Sequence, residues 1–271
     1  MPSANLRVDT NLVLVPVTVN TELNQPVTGL ERQNFKIFDD KAEQAIATFS
    51  SEDEPIALGL VFDVSGSMRG TLPQGRQAAA QFLRLANAED EFFLVEFDKS
   101  PRLTVPLTGA TGTINTELLI TKSGGSTALF DALYMALNEM RKSKKTKKAL
   151  VLISDGGENN SRYTGRELDL LVKESDVLIY TVLEPGFDAD PRLMSHLAEM
   201  TGAHMYPAGP TLADTALKIA IELRNRYVLG YTPTNQDRDG KYHRIEVKVI
   251  PPRGLGKLKA HWRTGYYAPS D

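Results

Sequence analysis

The chain has no cysteine among its 271 residues, so disulfides and thiolate chemistry are excluded. That absence does not fix a compartment, because a cysteine-free protein suits an oxidising space and the cytosol equally. No apolar stretch approaches the roughly 20 residues needed to cross a bilayer. Neither sign of charge dominates. The formal net charge is −3 and the sequence pI about 5.9, values that do not point to nucleic acid or an anionic membrane as the main partner. Only four histidines occur, His196, His204, His243 and His261. None has metal-ligand spacing with another, and there is no His-Glu-x-x-His. Packing or surface positions are expected for all of them. No Walker A sequence and no Gly-x-Gly-x-x-Gly follows an apolar run, and no repeat of 20 to 50 residues stands out. The opening residues, Met1 to Arg7, lack the apolar core of a signal peptide. The expected location is extracytoplasmic, periplasmic or secreted, if a leader has been removed, and otherwise cytoplasmic.

What is present is ordinary globular composition, 41% apolar and 24% charged, in a chain long enough for two domains. Leu12 to Val19, Phe35 to Phe38 and Gln44 to Phe49 read as strands, with a turn at Asp39-Asp40-Lys41. Ser50 to Pro55 is a polar linker. Strands and helices then alternate. Strands are expected at Ile56–Phe62, Glu91–Phe97, Leu103–Val105, Ala149–Ile153, Val177–Val182 and Ala203–Tyr206. Helices are expected at Leu72–Ala86, Ala128–Met140, Gly165–Glu174, Pro191–Met200 and Thr211–Arg226. Pro73 and Pro191 fall in first turns, and Asp190 is a plausible N-cap. After Arg226 the pattern returns to strands at Tyr227–Tyr231, His243–Val249 and Lys257–Trp262, with Asp239-Gly240 as a hairpin signal. Tyr266, Tyr267 and Trp262 read as packing residues. Neither terminal segment has enough strands to bury a sheet face alone. The expected architecture is therefore a doubly wound, mostly parallel α/β unit over residues 53–226, inserted into a β-sandwich formed by residues 1–52 and 227–271.

The chemistry sits where strands end. Ile56 to Phe62 is apolar throughout, as in a strand buried on both faces. It delivers Asp63-Val64-Ser65-Gly66-Ser67 into a loop, one carboxylate and two hydroxyls at alternate positions. Such an all-oxygen set suits a hard divalent cation that keeps waters, Mg2+ above all. Two further segments follow in order. Ser123-Gly124-Gly125-Ser126-Thr127 precedes a helix, its glycines letting the backbone approach closely and set the Thr127 hydroxyl. Ala149 to Ile153 runs into Ser154-Asp155-Gly156-Gly157. Taken alone, Asp63 to Ser67 would equally suit a helix cap or turn. The three segments together favour a metal site. The Arg141–Lys148 run, rich in lysine, reads as a solvated loop after a helix C-terminus, where cations are favoured. Glu158, Asn159 and Asn160 either rim the site or form a polar loop.

Over about Pro55 to Arg226 this pattern resembles the von Willebrand factor type A domain family and its metal-ion-dependent adhesion site. The resemblance implies direct oxygen ligands from Ser65, Ser67 and Thr127, with Asp63 and Asp155 acting mainly through water or hydrogen bonds. It implies Mg2+ or Mn2+ as the ion, and a protein partner whose Asp or Glu completes its coordination. The N-terminal segment resembles the small immunoglobulin-like or pre-peptidase-like β units that precede such domains in some bacterial proteins. The expected function is a non-enzymatic, adhesion-type binding module. The rivals are a Mg2+-dependent phosphoryl-transfer enzyme, whose familiar Asp-x-Asp-x-Thr is broken here by Ser65, and a structural domain with an unused site.

Overall fold

The computed structural model describes residues 12–23, 25–51, 54–120, 123–186, 189–207 and 212–270. Met1 to Arg7, the boundary at Glu52 and Asp53, and Thr211 lie outside them.

The centre is a six-stranded sheet in the order β10-β9-β8-β5-β6-β7. Its strands are β5 (Ile56–Asp63), β6 (Glu91–Phe97), β7 (Pro101–Thr108), β8 (Lys147–Ser154), β9 (Leu178–Leu183) and β10 (Met205–Pro207). All pairings are parallel except β6 with β7, which closes one edge antiparallel. Side chains alternate across the sheet. Ile56, Leu58, Leu60 and Phe62 enter one core, with α1 (Leu72–Arg84), α2 (Thr111–Ile120) and α6 (Leu212–Arg224) packed on that face. Ala57 and Val61 enter the other, with α3 (Leu129–Met140), α4 (Gly165–Glu174) and α5 (Pro191–Thr201). Both faces of β5 are thus dry, which is why it reads as an unbroken apolar run. This is the doubly wound α/β arrangement expected from the sequence.

The remaining strands are β1 (Val13–Thr21), β2 (Phe35–Asp39), β3 (Ala42–Gln44), β4 (Ile46–Ser50), β11 (Tyr227–Tyr231), β12 (Tyr242–Val249), β13 (Leu258–Trp262) and β14 (Gly265–Tyr267). They form two four-stranded sheets, β13-β1-β11-β4 and β14-β12-β2-β3. Each mixes strands from before and after the central unit. Val15 lies opposite Leu229, and Ile37 opposite Val247. Both sheets feed one core, in which Val15, Val17, Ile37, Leu229 and Tyr231 are fully excluded from solvent.

Three expectations are corrected and one helix is added. The Gln44 to Phe49 strand is two strands in different sheets, because the chain crosses between sheets at Ala45. Gln44 is held on its side by reciprocal bonds with Thr234. Asp239-Gly240 does not close a hairpin between β11 and β12, which belong to different sheets; Asp239 instead bridges Ser270. Helix α2 has no counterpart in the sequence reading, since Thr111-Gly112-Thr113-Ile114 are weak helix formers. Its Ile114 and Leu118 are nevertheless buried in the core. Lys147 is no loop residue. It opens β8, is 1% exposed, and its Nζ donates to the Arg224 carbonyl. No helix among the described residues is long and apolar enough to cross a membrane.

Candidate metal centre

Parallel strands β5 and β8 are neighbours, so their C-terminal ends present Asp63 and Ser154-Asp155 side by side. This edge is where open α/β sheets bind ligands. Asp63 is wholly buried. Its Oδ1 accepts the Ser65 amide at 2.8 Å, and its Oδ2 accepts the Ser154 hydroxyl at 2.6 Å. Burial pushes its pKa up to about 6; the Ser154 and Ser65 hydrogen bonds oppose this and the Asp155 charge adds to it. Ser65 is buried, Ser67 is exposed, and their hydroxyl oxygens stand 3.1 Å apart.

The Gly-rich loop is laced onto the first one. The Gly124 amide donates to the Val64 carbonyl at 2.8 Å, and the Gly66 amide to the Gly125 carbonyl at 3.2 Å. Gly125 has φ +91°, a conformation L residues avoid, and it carries the chain into Thr127. Thr127 is 5% exposed. Its amide donates to Asn159 Oδ1, and its carbonyl accepts the Asn159 and Asn160 amides. The structure therefore joins the loops of Asp63, Ser65, Ser67 and Thr127 directly.

Asp155 is 1% exposed. Its Oδ1 accepts the Gly157 amide at 3.0 Å, whereas Oδ2 is buried with no hydrogen-bond donor. The chain passes close over it at Gly186, where any Cβ would fall 2.1 Å from Oδ2, so only glycine fits. Glu158, Asn159 and Asn160 clamp the rim. Glu158 Oε2 accepts the Phe130 amide and the Ser161 hydroxyl, and Asn160 Nδ2 donates to the Lys99 carbonyl at 2.6 Å.

The sequence reading missed Glu184, directly after β9. Its amide donates to the Ser154 carbonyl at 2.9 Å, so it follows the strand beside β8 at the same edge. It is 3% exposed, its Oε1 has no hydrogen-bond partner, and burial pushes its pKa up to about 7. Only its place at a strand end would have marked it.

Carboxylates without a full set of donors, set beside neutral hydroxyls, fit a hard divalent cation. The donor set is all oxygen, and the clustered negative charge at Asp63 and Asp155 is what such an ion relieves.

Residues 58–158 match the family model for the von Willebrand factor type A domain. Among solved structures, the chain is similar to a von Willebrand factor type A protein from Catenulispora acidiphila, at 12% identity and TM-score 0.57, covering 95% of this chain and 75% of that one. It is similar to the conserved hypothetical protein BatB from Bacteroides thetaiotaomicron at 13% identity and TM-score 0.53, over 62% of this chain and 97% of that one. It is also similar to the vWF domain of the type V pili tip protein Mfa5 from Porphyromonas gingivalis, at 14% identity and TM-score 0.50, over 63% and 97%. At such identities the likeness is one of fold. No curated protein matches the chain.

Proposed function

The central unit of the chain is a von Willebrand factor type A domain, and on that premise we propose that it is a metal-dependent, adhesion-type protein-binding module. Ser65, Ser67 and Thr127 would hold Mg2+ or Mn2+ directly, and Asp63 and Asp155 would support it mainly through water or hydrogen bonds. When bound, such an ion offers an electrophilic position to a carboxylate oxygen from outside. Neutral hydroxyls leave its charge only partly compensated, so an Asp or Glu of a partner protein is the matching ligand. The buried Asp155 Oδ2 without a donor carries this reading, because an uncompensated buried carboxylate is costly unless a cation is provided. Ser65 speaks against the phosphoryl-transfer alternative, because it stands where the Asp-x-Asp-x-Thr pattern needs its second carboxylate. An extracytoplasmic location is part of the proposal, in keeping with a pilus tip protein among the proteins similar in fold.

The test is capture of partners from native extract by the immobilised full chain, with Mg2+ and with EDTA. A partner retained in Mg2+ and released by EDTA is expected, and its loss with Thr127→Ala. Partners held equally in EDTA would contradict the proposal.

A further inference from the structure

In the terminal sheets, His243 is brought beside Asp39 and Asp40, two adjacent residues from the other end of the chain. Asp39 ends β2, Asp40 follows it, and His243 lies on β12, which pairs with β2. The His243 Nδ1 stands 3.4 Å from Asp39 Oδ1 and 3.1 Å from Asp40 Oδ2, and all three atoms lie within 4.8 Å of one another.

Each carboxylate is tethered by one oxygen and turns the other toward His243. Asp39 Oδ2 accepts the hydroxyls of Tyr231 at 3.0 Å and Tyr266 at 2.9 Å. Asp40 Oδ1 accepts the Arg244 amide at 2.9 Å. The oxygens left over are the two that face His243. Asp39 is only 5% exposed, yet its Oδ1 accepts no hydrogen bond from any donor. An oxygen buried so deeply and aimed into the cluster is costly unless something further occupies the space between the three groups. His243 is itself 6% exposed, with its ring stacked on Tyr266 at 5.3 Å between centroids. The ligand side chains are thus oriented by their neighbours, as in metal sites where outer hydrogen bonds fix the ligands. Asp40 is exposed, so an ion reaches the group from solvent.

We propose that Asp39 Oδ1, Asp40 Oδ2 and His243 Nδ1 form a second divalent-cation site, in the β unit, that takes a borderline transition ion of the Zn2+ class. One imidazole nitrogen and two carboxylate oxygens suit such an ion far better than Mg2+, which prefers oxygen alone and keeps its waters. Water fills the remaining positions. The ion would clamp the β2 end to β12 and so lock the strand that precedes the central unit to one that follows it. This site shares no residue with the proposed adhesion site, and the two differ in metal preference.

The test uses the full chain in excess Mg2+, titrated with Zn2+ by calorimetry and with Co2+ by visible absorption. One Zn2+ equivalent is expected, bound equally by wild type and by Asp63→Ala, with a Co2+ ligand-field band. Asp40→Asn should weaken it at least about tenfold. Asn is apt because the Asp40 φ of +45° is tolerated by Asn and its side chain is exposed, so folding is preserved. His243→Gln should remove the Co2+ band, with the fold checked by circular dichroism. Absence of Zn2+ binding to wild type, or equal binding by folded Asp40→Asn, would overturn the proposal. Loss of Zn2+ binding in Asp63→Ala alone would also overturn it, by placing the ion in the other site.

Discussion

The Ser154 hydroxyl donates to Asp63 Oδ2 at 2.6 Å, joining the last residues of two adjacent parallel strands through their side chains. The same hydroxyl oxygen accepts the Gly156 amide at 2.9 Å. Ser154 therefore orients one acid of the proposed site while shaping the turn that carries the other. Ser154→Ala would leave a buried carboxylate oxygen and a buried amide unpaired. The expected loss is about 1–3 kcal/mol in urea unfolding, read as a lower midpoint at unchanged slope. An unchanged midpoint would show that the bond contributes nothing.

His261 lies on β13, with its ring centroid 3.7 Å from that of His204 in the central unit. Burial, and then the charge of His204, pushes its pKa down to about 4. An unfolded histidine titrates near about 6.5. Between those values the unfolded chain binds more protons, so this group's contribution to stability is present above pH 6.5 and is lost as pH falls toward 4. A proton NMR titration should place His261 near 4. A value near 6.5 would mean that the contact with the central unit does not keep the ring dry.

Glu184 has the opposite sign. Its pKa, pushed up to about 7 by burial, makes the folded state bind more protons than the unfolded one from about pH 4.5 upward. Ionisation of Glu184 therefore destabilises the metal-free protein as pH rises through 7. Glu184→Gln should raise the melting temperature in EDTA more at pH 8 than at pH 5. Equal shifts at both would remove Glu184 from the pH dependence.

The two cores of the central unit draw only on residues between Ile56 and Leu223, and the third core draws on none of them. A fragment of residues 55–226 is expected to unfold cooperatively on its own. Residues 1–52 without 227–271 should stay unfolded, because β1 and β2 would lose β11, β13 and β12 as partners. A non-cooperative 55–226 fragment, or a folded isolated N-terminal segment, would refute this division.

Much of the central unit was legible because its signals are local. Glu91–Phe97 and Gly165–Glu174 match the expected strand and helix end to end, and Asp190 caps α5 by accepting the Arg192 and Leu193 amides. That the five proposed site residues meet at one sheet edge was legible for the same reason, since each sits just past an apolar strand or before a patterned helix. What stayed hidden depends on pairing across the chain. Nothing near Asp239-Gly240 reveals that β11 and β12 part into different sheets. Lys147 looks like one more cation in a basic run until the Arg224 carbonyl arrives from 77 residues away. His243 carries no ligand spacing in sequence, because its neighbours Asp39 and Asp40 come from the other end of the chain.

The central claim is that the β5 and β8 ends and the Gly-rich loop bind a hard divalent cation. Its most direct measurement is the melting temperature of the EDTA-stripped full chain with and without millimolar Mg2+ or Mn2+, backed by calorimetric titration. Binding to the folded state alone should stabilise it, by about 2.7 kcal/mol at a hundredfold excess over Kd. The shift should vanish in Asp63→Ala and survive in Asp40→Asn. No shift and no heat with either ion in the wild-type protein would contradict the account.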